Sequence, residues 1–174
     1  MLRKLTLIAA VFVLCVSTIV AHPNPRQGDR FTEHIRKELV KIPTYGVYDN
    51  LAFEVKGDTV ILTGQVVRPT TRKDAERRVK RIEGVERVVN RIEVLPPSPM
   101  DDGIRRRVRL TVGRTGGLYR YFLGSNPSIH IIVNRGHVTL EGVVANRMDS
   151  QLAYTAANQV TGVFSVTNNL RVER

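Results

Sequence analysis

Residues 51–66 read LAFEVKGDTVILTGQV, and residues 129–144 repeat the pattern as IHIIVNRGHVTLEGVV, 78 positions later. Over the 44 positions from Leu51 to Val94, eleven residues are identical to the residue 78 positions further on. In each stretch apolar residues alternate with polar ones on both sides of a glycine-containing turn, which predicts two antiparallel strands. The sequence therefore predicts two copies of one small unit. Because there are only two copies, an open solenoid is not expected.

A helix and a third strand are predicted after each hairpin. Thr71 is suited to cap this helix in the first copy and Asp149 in the second. Gly84 and Gly162 stand where a left-handed residue is wanted at the helix C-terminus. The predicted third strands cover residues 88–94 and 166–172.

A further helix is predicted ahead of each hairpin. It begins at Asp29 in the first copy and at Asp101 or Asp102 in the second. The predicted fold class is therefore α+β, with two tandem α-β-β-α-β units, each a three-stranded mixed sheet covered on one face by two helices. The predicted boundaries are a first unit at 22–95, a proline-rich linker at 96–100 and a second unit at 101–174.

The N-terminal residues, 1–21, have the order of a secretory signal peptide. A short basic segment is followed by an uncharged apolar stretch from Leu5 to Val20 and by the small residue Ala21. The apolar stretch is shorter than the ~20 residues that a spanning helix needs. We predict cleavage after Ala21 and export to the periplasm or beyond, with an uncleaved anchor as the alternative. Cleavage would leave a chain without cysteine, because Cys15 lies in this segment.

The glycine and aliphatic spacing resembles that of the BON domain of bacterial envelope proteins. GHVTLEGVV (136–144) with VTGVFSVTNNLRV (160–172) is the stronger match, and DTVILTGQV (58–66) with IEGVERVVNRIEV (82–94) is the second. The resemblance implies an exported tandem BON protein associated with envelope integrity and stress tolerance. For some members it implies binding of anionic phospholipid through a helix of the second unit. Residues 113–128 depart from the family pattern because they lengthen the connection between helix and hairpin.

The chain is strongly basic, with a formal net charge of +11, which favours anionic partners. On a helical wheel of the helix that leads the second unit, Ile104, Val108 and Val112 form the buried stripe. Leu110 falls on the outer side among arginines, an arrangement typical of an interfacial helix. The predicted lipid-binding residues are Arg105, Arg106, Arg107, Arg109, Leu110, Tyr119, Tyr121 and Phe122.

Two alternatives to this lipid-binding site stay open at the level of sequence. Leu110 could instead pack against the first unit or the linker, leaving the arginines merely solvated. A second basic face lies on the second helix of the first unit, within residues 72–81, and helices over a small sheet often carry a solvated charged face.

No pattern in the sequence indicates catalysis or metal binding. The four histidines lack metal-ligand spacing, and no serine lies in a nucleophile-elbow context. We predict a protein that is not an enzyme and that has no cofactor or metal. His130 and His137 are expected on a solvated strand face, and Asn90 and Asn168 are expected to bond neighbouring backbone.

Three kinds of partner are compatible with a basic chain of this kind: a membrane surface, an envelope protein and a nucleic acid. The preferred partner is an anionic phospholipid membrane surface, bound peripherally. The alternative is a periplasmic adaptor that docks an envelope protein on its uncovered sheet faces. Gly113-Arg114-Thr115-Gly116 also matches the GXXG loop with which KH domains clamp nucleic acid. An exported protein rarely meets nucleic acid, so none is expected as a partner.

Overall fold

The computed structural model describes residues 25–173, so the predicted signal peptide and its cleavage site lie outside the described residues. The elements of the first unit are α1 (Pro25–Val40), β1 (Asn50–Lys56), β2 (Thr59–Val66), α2 (Pro69–Val79), β3 (Arg87–Asn90) and β4 (Glu93–Val94). Those of the second unit are α3 (Pro99–Arg114), a 3₁₀ helix (Leu118–Phe122), β5 (Ile129–Asn134), β6 (His137–Val144), α4 (Arg147–Asn158) and β7 (Ser165–Val172). The predicted α-β-β-α-β order occurs twice.

Each unit contains one mixed sheet. β1 pairs antiparallel with β2, and β2 pairs in parallel with β3 and β4. In the second unit β5 pairs antiparallel with β6, and β6 pairs in parallel with β7. The third strand is continuous in the second unit, whereas in the first it is interrupted at Arg91 and Ile92. The predicted fold class is confirmed, with this one strand divided in two.

Each unit has its own apolar core between its helices and its sheet. The first core includes Ile35 and Leu39 from α1, Val60 and Leu62 from β2, and Ala75 and Val79 from α2. The second includes Ile104, Val108 and Val112 from α3, Ile131 from β5, Leu140 from β6 and Ala153 from α4. The apolar face of α3 that the helical wheel predicted is therefore the face that is buried.

The helices that lead the two units begin earlier than the sequence predicted. α1 begins at Pro25, ahead of Asp29. α3 begins at Pro99, and the Ser98 hydroxyl caps it by accepting a hydrogen bond from the amide of Asp101 at 3.2 Å. A proline suits the first helical position because its missing N–H would have had no partner there. The last two residues of the predicted linker therefore belong to the first turn of α3.

The predicted caps of α2 and α4 were wrong. Thr71 and Asp149 are each the third residue of their helix, because α2 begins at Pro69 and α4 at Arg147. Asn146 caps α4 by accepting from the amide of Asp149 at 2.8 Å. Thr71 is instead buried and its hydroxyl bonds that of Thr44 at 2.9 Å, in the segment between α1 and β1. Both predicted caps thus tie a helix to the segment that precedes its hairpin.

The two units pack against each other through residues 41–49, which connect α1 to β1 and are called the first link. The amide of Ile131 in β5 donates a hydrogen bond to the carbonyl of Val47 at 2.7 Å. Val47 and Tyr48 also pack against the apolar core of the second unit. The first link therefore covers the outer edge of β5, a contact that sequence analysis left undecided.

Gly64 and Gly142 occupy equivalent positions in β2 and β6, with φ of 113° and 121°. A Cβ atom at Gly142 would lie 2.0 Å from the carbonyl oxygen of Ser128, and one at Gly64 would lie 2.1 Å from that of Asn50. Both the positive φ and the close backbone approach exclude a side chain. The repeated glycine of the motif is thus required by the start of each hairpin.

The substitution Gly142→Ala is expected to lower the free energy of unfolding by roughly 1–3 kcal/mol or more, because it adds backbone strain and forces the Ser128 carbonyl to move. The control is Gly28→Ala in α1, where a Cβ meets nothing within 4 Å. Relief of helix-interior glycine should raise stability there by about 0.5–1 kcal/mol. Denaturant unfolding followed by circular dichroism measures both, and a Gly142→Ala protein as stable as wild type would contradict this role.

Candidate functional site

An exposed cluster of positive charge surrounds one exposed apolar side chain on α3. Leu110 is 54% exposed, so more than half of it faces solvent, in the outward direction that the helical wheel predicted. Residues three and four positions away on a helix are surface neighbours, so Leu110 lies among exposed arginines. The basic face of α3 is defined as Arg106, Arg107, Arg109, Leu110 and Arg114.

Most of these arginines are electrostatically uncompensated. Within residues 25–173, Arg106, Arg109 and Arg114 form no ion pair and no side-chain hydrogen bond. Arg107 donates to the carbonyl of Thr161 at 3.1 Å, at the turn that follows α4. A neutral carbonyl leaves the charge of Arg107 unbalanced, so the whole face presents positive charge to solvent.

The second basic face, on α2 and the turn that follows it, is half paired with acids. Arg77 bonds Asp74 at 2.8 Å, Arg78 bonds Glu38 at 3.1 Å, and Lys80 bonds Glu76 at 2.6 Å. The hydrogen bond from Lys80 lowers the pKa of Glu76, which keeps that carboxylate charged. The two faces look alike in sequence, yet the described residues pair half of the basic side chains on this face with acids and none of the arginines on the α3 face.

Arg105 is not part of the exposed face, and its predicted lipid contact was wrong. Its residue is 2% exposed, and its guanidinium bonds the carboxylate of Asp102 and the carbonyl of Val133 in β5, the latter at 2.6 Å. Arg105 lies beside the buried stripe of α3, and its long side chain reaches the sheet. The residue therefore fastens α3 to β5 and contacts no membrane.

Tyr121 was also wrongly predicted to face lipid. It is 8% exposed, and its hydroxyl donates to the carboxylate of Asp149 and accepts from the amide of Ala145 at 2.9 Å. The equivalent amide in the first unit, that of Val67, is bonded by the carboxylate of Asp49 at 2.7 Å. Tyr121 thus satisfies a backbone donor that the repeated unit requires in both copies.

The remaining aromatic residues of the prediction differ in exposure. Tyr119 is 61% exposed, whereas Phe122 is half-buried and lies 3.6 Å from the position of a Cβ on Gly113. Leu123, which the sequence analysis missed, is 62% exposed. A 3₁₀ helix repeats every three residues, which places Leu118 and Tyr121 together on the buried side. The three-residue spacing of Leu118 and Tyr121 is the sequence signal that would have predicted that Tyr121 is buried.

His130 lies in the contact between the units, and the prediction of a solvated position was wrong for it. The residue is 8% exposed, and its ring stacks on that of Tyr45, with centroids 5.2 Å apart. Burial lowers the pKa of His130, although a backbone hydrogen bond and neighbouring acids oppose this shift. His137 is exposed as predicted, and its Nδ1 lies 2.8 Å from the hydroxyl of Ser165.

Asn90 and Asn168 bond neighbouring backbone, as predicted. The Asn168 amide group donates to the Ser150 carbonyl at 3.2 Å, and its oxygen accepts from the amide of Leu170. Asn90 makes the same two kinds of bond in the first unit. Gly113 and Arg114 of the GXXG sequence lie in the last turn of α3, so the four residues do not form an open loop.

Between residues 25 and 173, no three histidine, cysteine, aspartate or glutamate side chains are grouped so that they could hold a metal ion. No helix in this described part of the chain has the length and apolar character needed to cross a membrane.

Two solved structures similar to this chain come from CdsD, a structural protein of the type III secretion system of Chlamydia trachomatis. The first has 10% identity and a TM-score of 0.30, covering 83% of this chain and 92% of the other. The second, a C-terminal domain, has 11% identity and a TM-score of 0.28, covering 82% and 96%. At these TM-scores the likeness carries no argument about this chain. A search of curated proteins finds no match.

The family comparison agrees with the repeated unit. A model of the BON domain matches residues 29–96 and again residues 101–174, which are the two α-β-β-α-β units described above. BON domains are found in envelope and stress-related proteins, and the family is generally non-catalytic. The chain belongs to the BON-domain family and consists of two BON domains in tandem.

Proposed function

We propose that this protein is exported to the bacterial envelope, has no enzymatic activity, and supports envelope integrity and stress tolerance by binding anionic phospholipid peripherally through the basic face of α3. The observation that carries the proposal is the set of uncompensated arginines around the exposed Leu110. Charge of this kind attracts anionic headgroups, while an apolar side chain among the arginines enters the boundary with the acyl chains.

The size of the expected contributions to the binding free energy indicates that the protein associates with the membrane reversibly. Each arginine near an anionic leaflet contributes roughly 1 kcal/mol, so the four of the basic face contribute about 4 kcal/mol. Burial of Leu110 adds about 1.5–3 kcal/mol. Binding of this strength weakens as salt rises, because screening shortens the reach of the exposed charges. The protein would therefore exchange between membrane and solution.

The exposed Tyr119 and Leu123 extend the proposed membrane contact beyond α3. Both belong to the lengthened segment between α3 and β5, whose 3₁₀ helix is tied to α4 by the bonds of Arg120 and Tyr121 to Asp149. A segment held in this way loses little conformational freedom on binding. Its two exposed side chains therefore supply apolar area in addition to that of Leu110.

Reversing the charge of Arg106 and Arg109 together should abolish binding to phosphatidylglycerol-rich vesicles. Losing two contributions of roughly 1 kcal/mol weakens binding more than tenfold, and the new glutamates add repulsion. The matched control is Lys73→Glu with Arg81→Glu, which makes the same charge change on the other basic face. Co-sedimentation with vesicles, with circular dichroism to check folding, measures the effect. Equal loss in both double variants would mean that only net charge matters.

Replacing Leu110 with serine should weaken binding by a factor that does not depend on salt, because its contribution is apolar and is not screened. The control is Phe164→Ser, since Phe164 is 68% exposed but lies outside the basic face and the 3₁₀ segment. Co-sedimentation at low and high salt separates the two kinds of contribution. If wild type ignores anionic vesicles, the lipid proposal fails and the envelope-protein adaptor takes its place.

A further inference from the structure

His130 is the side chain through which the second unit holds the first link. Its ring stacks on Tyr45 with an interplanar angle of 27°. Its Nδ1 lies 3.1 Å from the carbonyl oxygen of Gly46, and its Nε2 lies 3.3 Å from the hydroxyl of Tyr45. The neighbouring amide of Ile131 bonds the carbonyl of Val47. Two consecutive residues of β5 thus contact three consecutive residues of the first link, through one ring stack and three hydrogen bonds.

The two hydrogen bonds of His130 fit a neutral imidazole without any rearrangement of its partners. A carbonyl oxygen can only accept, so Nδ1 carries the proton and Nε2 accepts from the hydroxyl of Tyr45. Burial raises the pKa of Tyr45 to about 12, so this hydroxyl keeps its proton and remains a donor. A proton added at Nε2 would reverse this bond, because the Tyr45 hydroxyl would have to turn its own proton away and accept instead. It would also place a positive charge in the buried contact.

The charged and titratable groups around His130 come from two elements. Tyr45 and Asp49 face it from the first link, and Glu141 lies opposite it on β6. Both carboxylates favour the protonated ring, yet burial is the largest influence and lowers the pKa of His130. Burial likewise raises the pKa of Asp49, whose carboxylate accepts from the amides of Gly46 and Val67.

We propose that His130 is a pH-operated latch between the two BON domains: neutral, it holds the first link on β5, and protonated, it releases the first domain from the second. The device is specific to this junction, because the repeat places Ala52 at the position equivalent to His130. The hinge for the movement is Pro96 to Ser98, since the amide of Leu95 before it bonds the carbonyl of Val66 in the first domain and α3 begins directly after it.

The direction of the pH response follows from linkage. In the released state the ring is solvated, with an ordinary pKa near 6.5. In the docked state the pKa of His130 lies below that value. Docking is therefore at full strength above about pH 6.5 and weakens as the pH falls from there towards the docked-state pKa, because only the released state takes up the proton.

The test measures the distance between the two domains as a function of pH. Spin labels are placed on the mature chain, residues 22–174, through Arg36→Cys in α1 and Gln151→Cys in α4, which are both exposed. The only native cysteine, Cys15, belongs to the predicted signal peptide. Wild type should show one distance at pH 7.5 and a second, longer population that grows below about pH 6.5.

The decisive variant is His130→Gln, whose amide nitrogen can donate to Gly46 and whose oxygen can accept from Tyr45 without titrating. It should keep the single distance at pH 5, whereas His34→Gln and His137→Gln, outside the contact, should open like wild type. Circular dichroism at pH 5 checks that both domains stay folded. A wild-type distance unchanged by pH, or a His130→Gln protein that opens as wild type does, would overturn the latch.

Discussion

The hydrogen bond from the Ile131 amide to the Val47 carbonyl lies at the position on which the arrangement of the two domains depends. An edge strand leaves a row of backbone donors and acceptors unpaired, and proteins cover such rows to prevent unwanted pairing. Here the first link covers the outer edge of β5, so that five consecutive residues of this strand are buried. The equivalent strand β1 alternates between half-buried and exposed residues. The first strands of the two copies thus lie in different environments, β1 partly exposed and β5 buried.

The same strand also orients the proposed membrane contact. α3 lies against β5 through its apolar stripe, and Arg105 bonds the carbonyl of Val133 on that strand. Just beyond the same end of β5, the carboxylate of Asp101 accepts from the amides of Arg135 and Gly136 in the hairpin turn. With these contacts fixed, only one side of α3 remains free. That side carries the uncompensated arginines and Leu110.

The repeat and the periodicity were enough to predict the fold, because glycine positions and alternating apolar residues are set by the unit itself. The outward position of Leu110 followed from the same wheel. Arg105 could not be placed this way, since a wheel gives direction but ignores the length of a side chain that reaches a strand carbonyl. Tyr121 was misjudged because the segment has a three-residue period.

The contact of His130 was beyond sequence analysis for a different reason. Its partners Tyr45 and Gly46 are 85 and 84 residues away in the chain. Its repeat counterpart, Ala52, has no polar side chain from which the contact could be inferred. A contact between the two copies involves different residues of each copy, so it cannot be predicted from the residues that the copies share. The fold of each domain was therefore predictable, whereas their junction and the buried members of the candidate site were not.

Amide hydrogen exchange on the full chain tests most directly whether the first domain covers the second. Phe53 is the repeat counterpart of Ile131, because each pairs with the leucine at the same position of its central strand. The account predicts that the Ile131 amide, bonded to Val47, exchanges at least about tenfold more slowly than the Phe53 amide. Among the described residues, the Phe53 amide has no backbone acceptor in a neighbouring loop. Equal exchange rates of the two amides at neutral pH would contradict it.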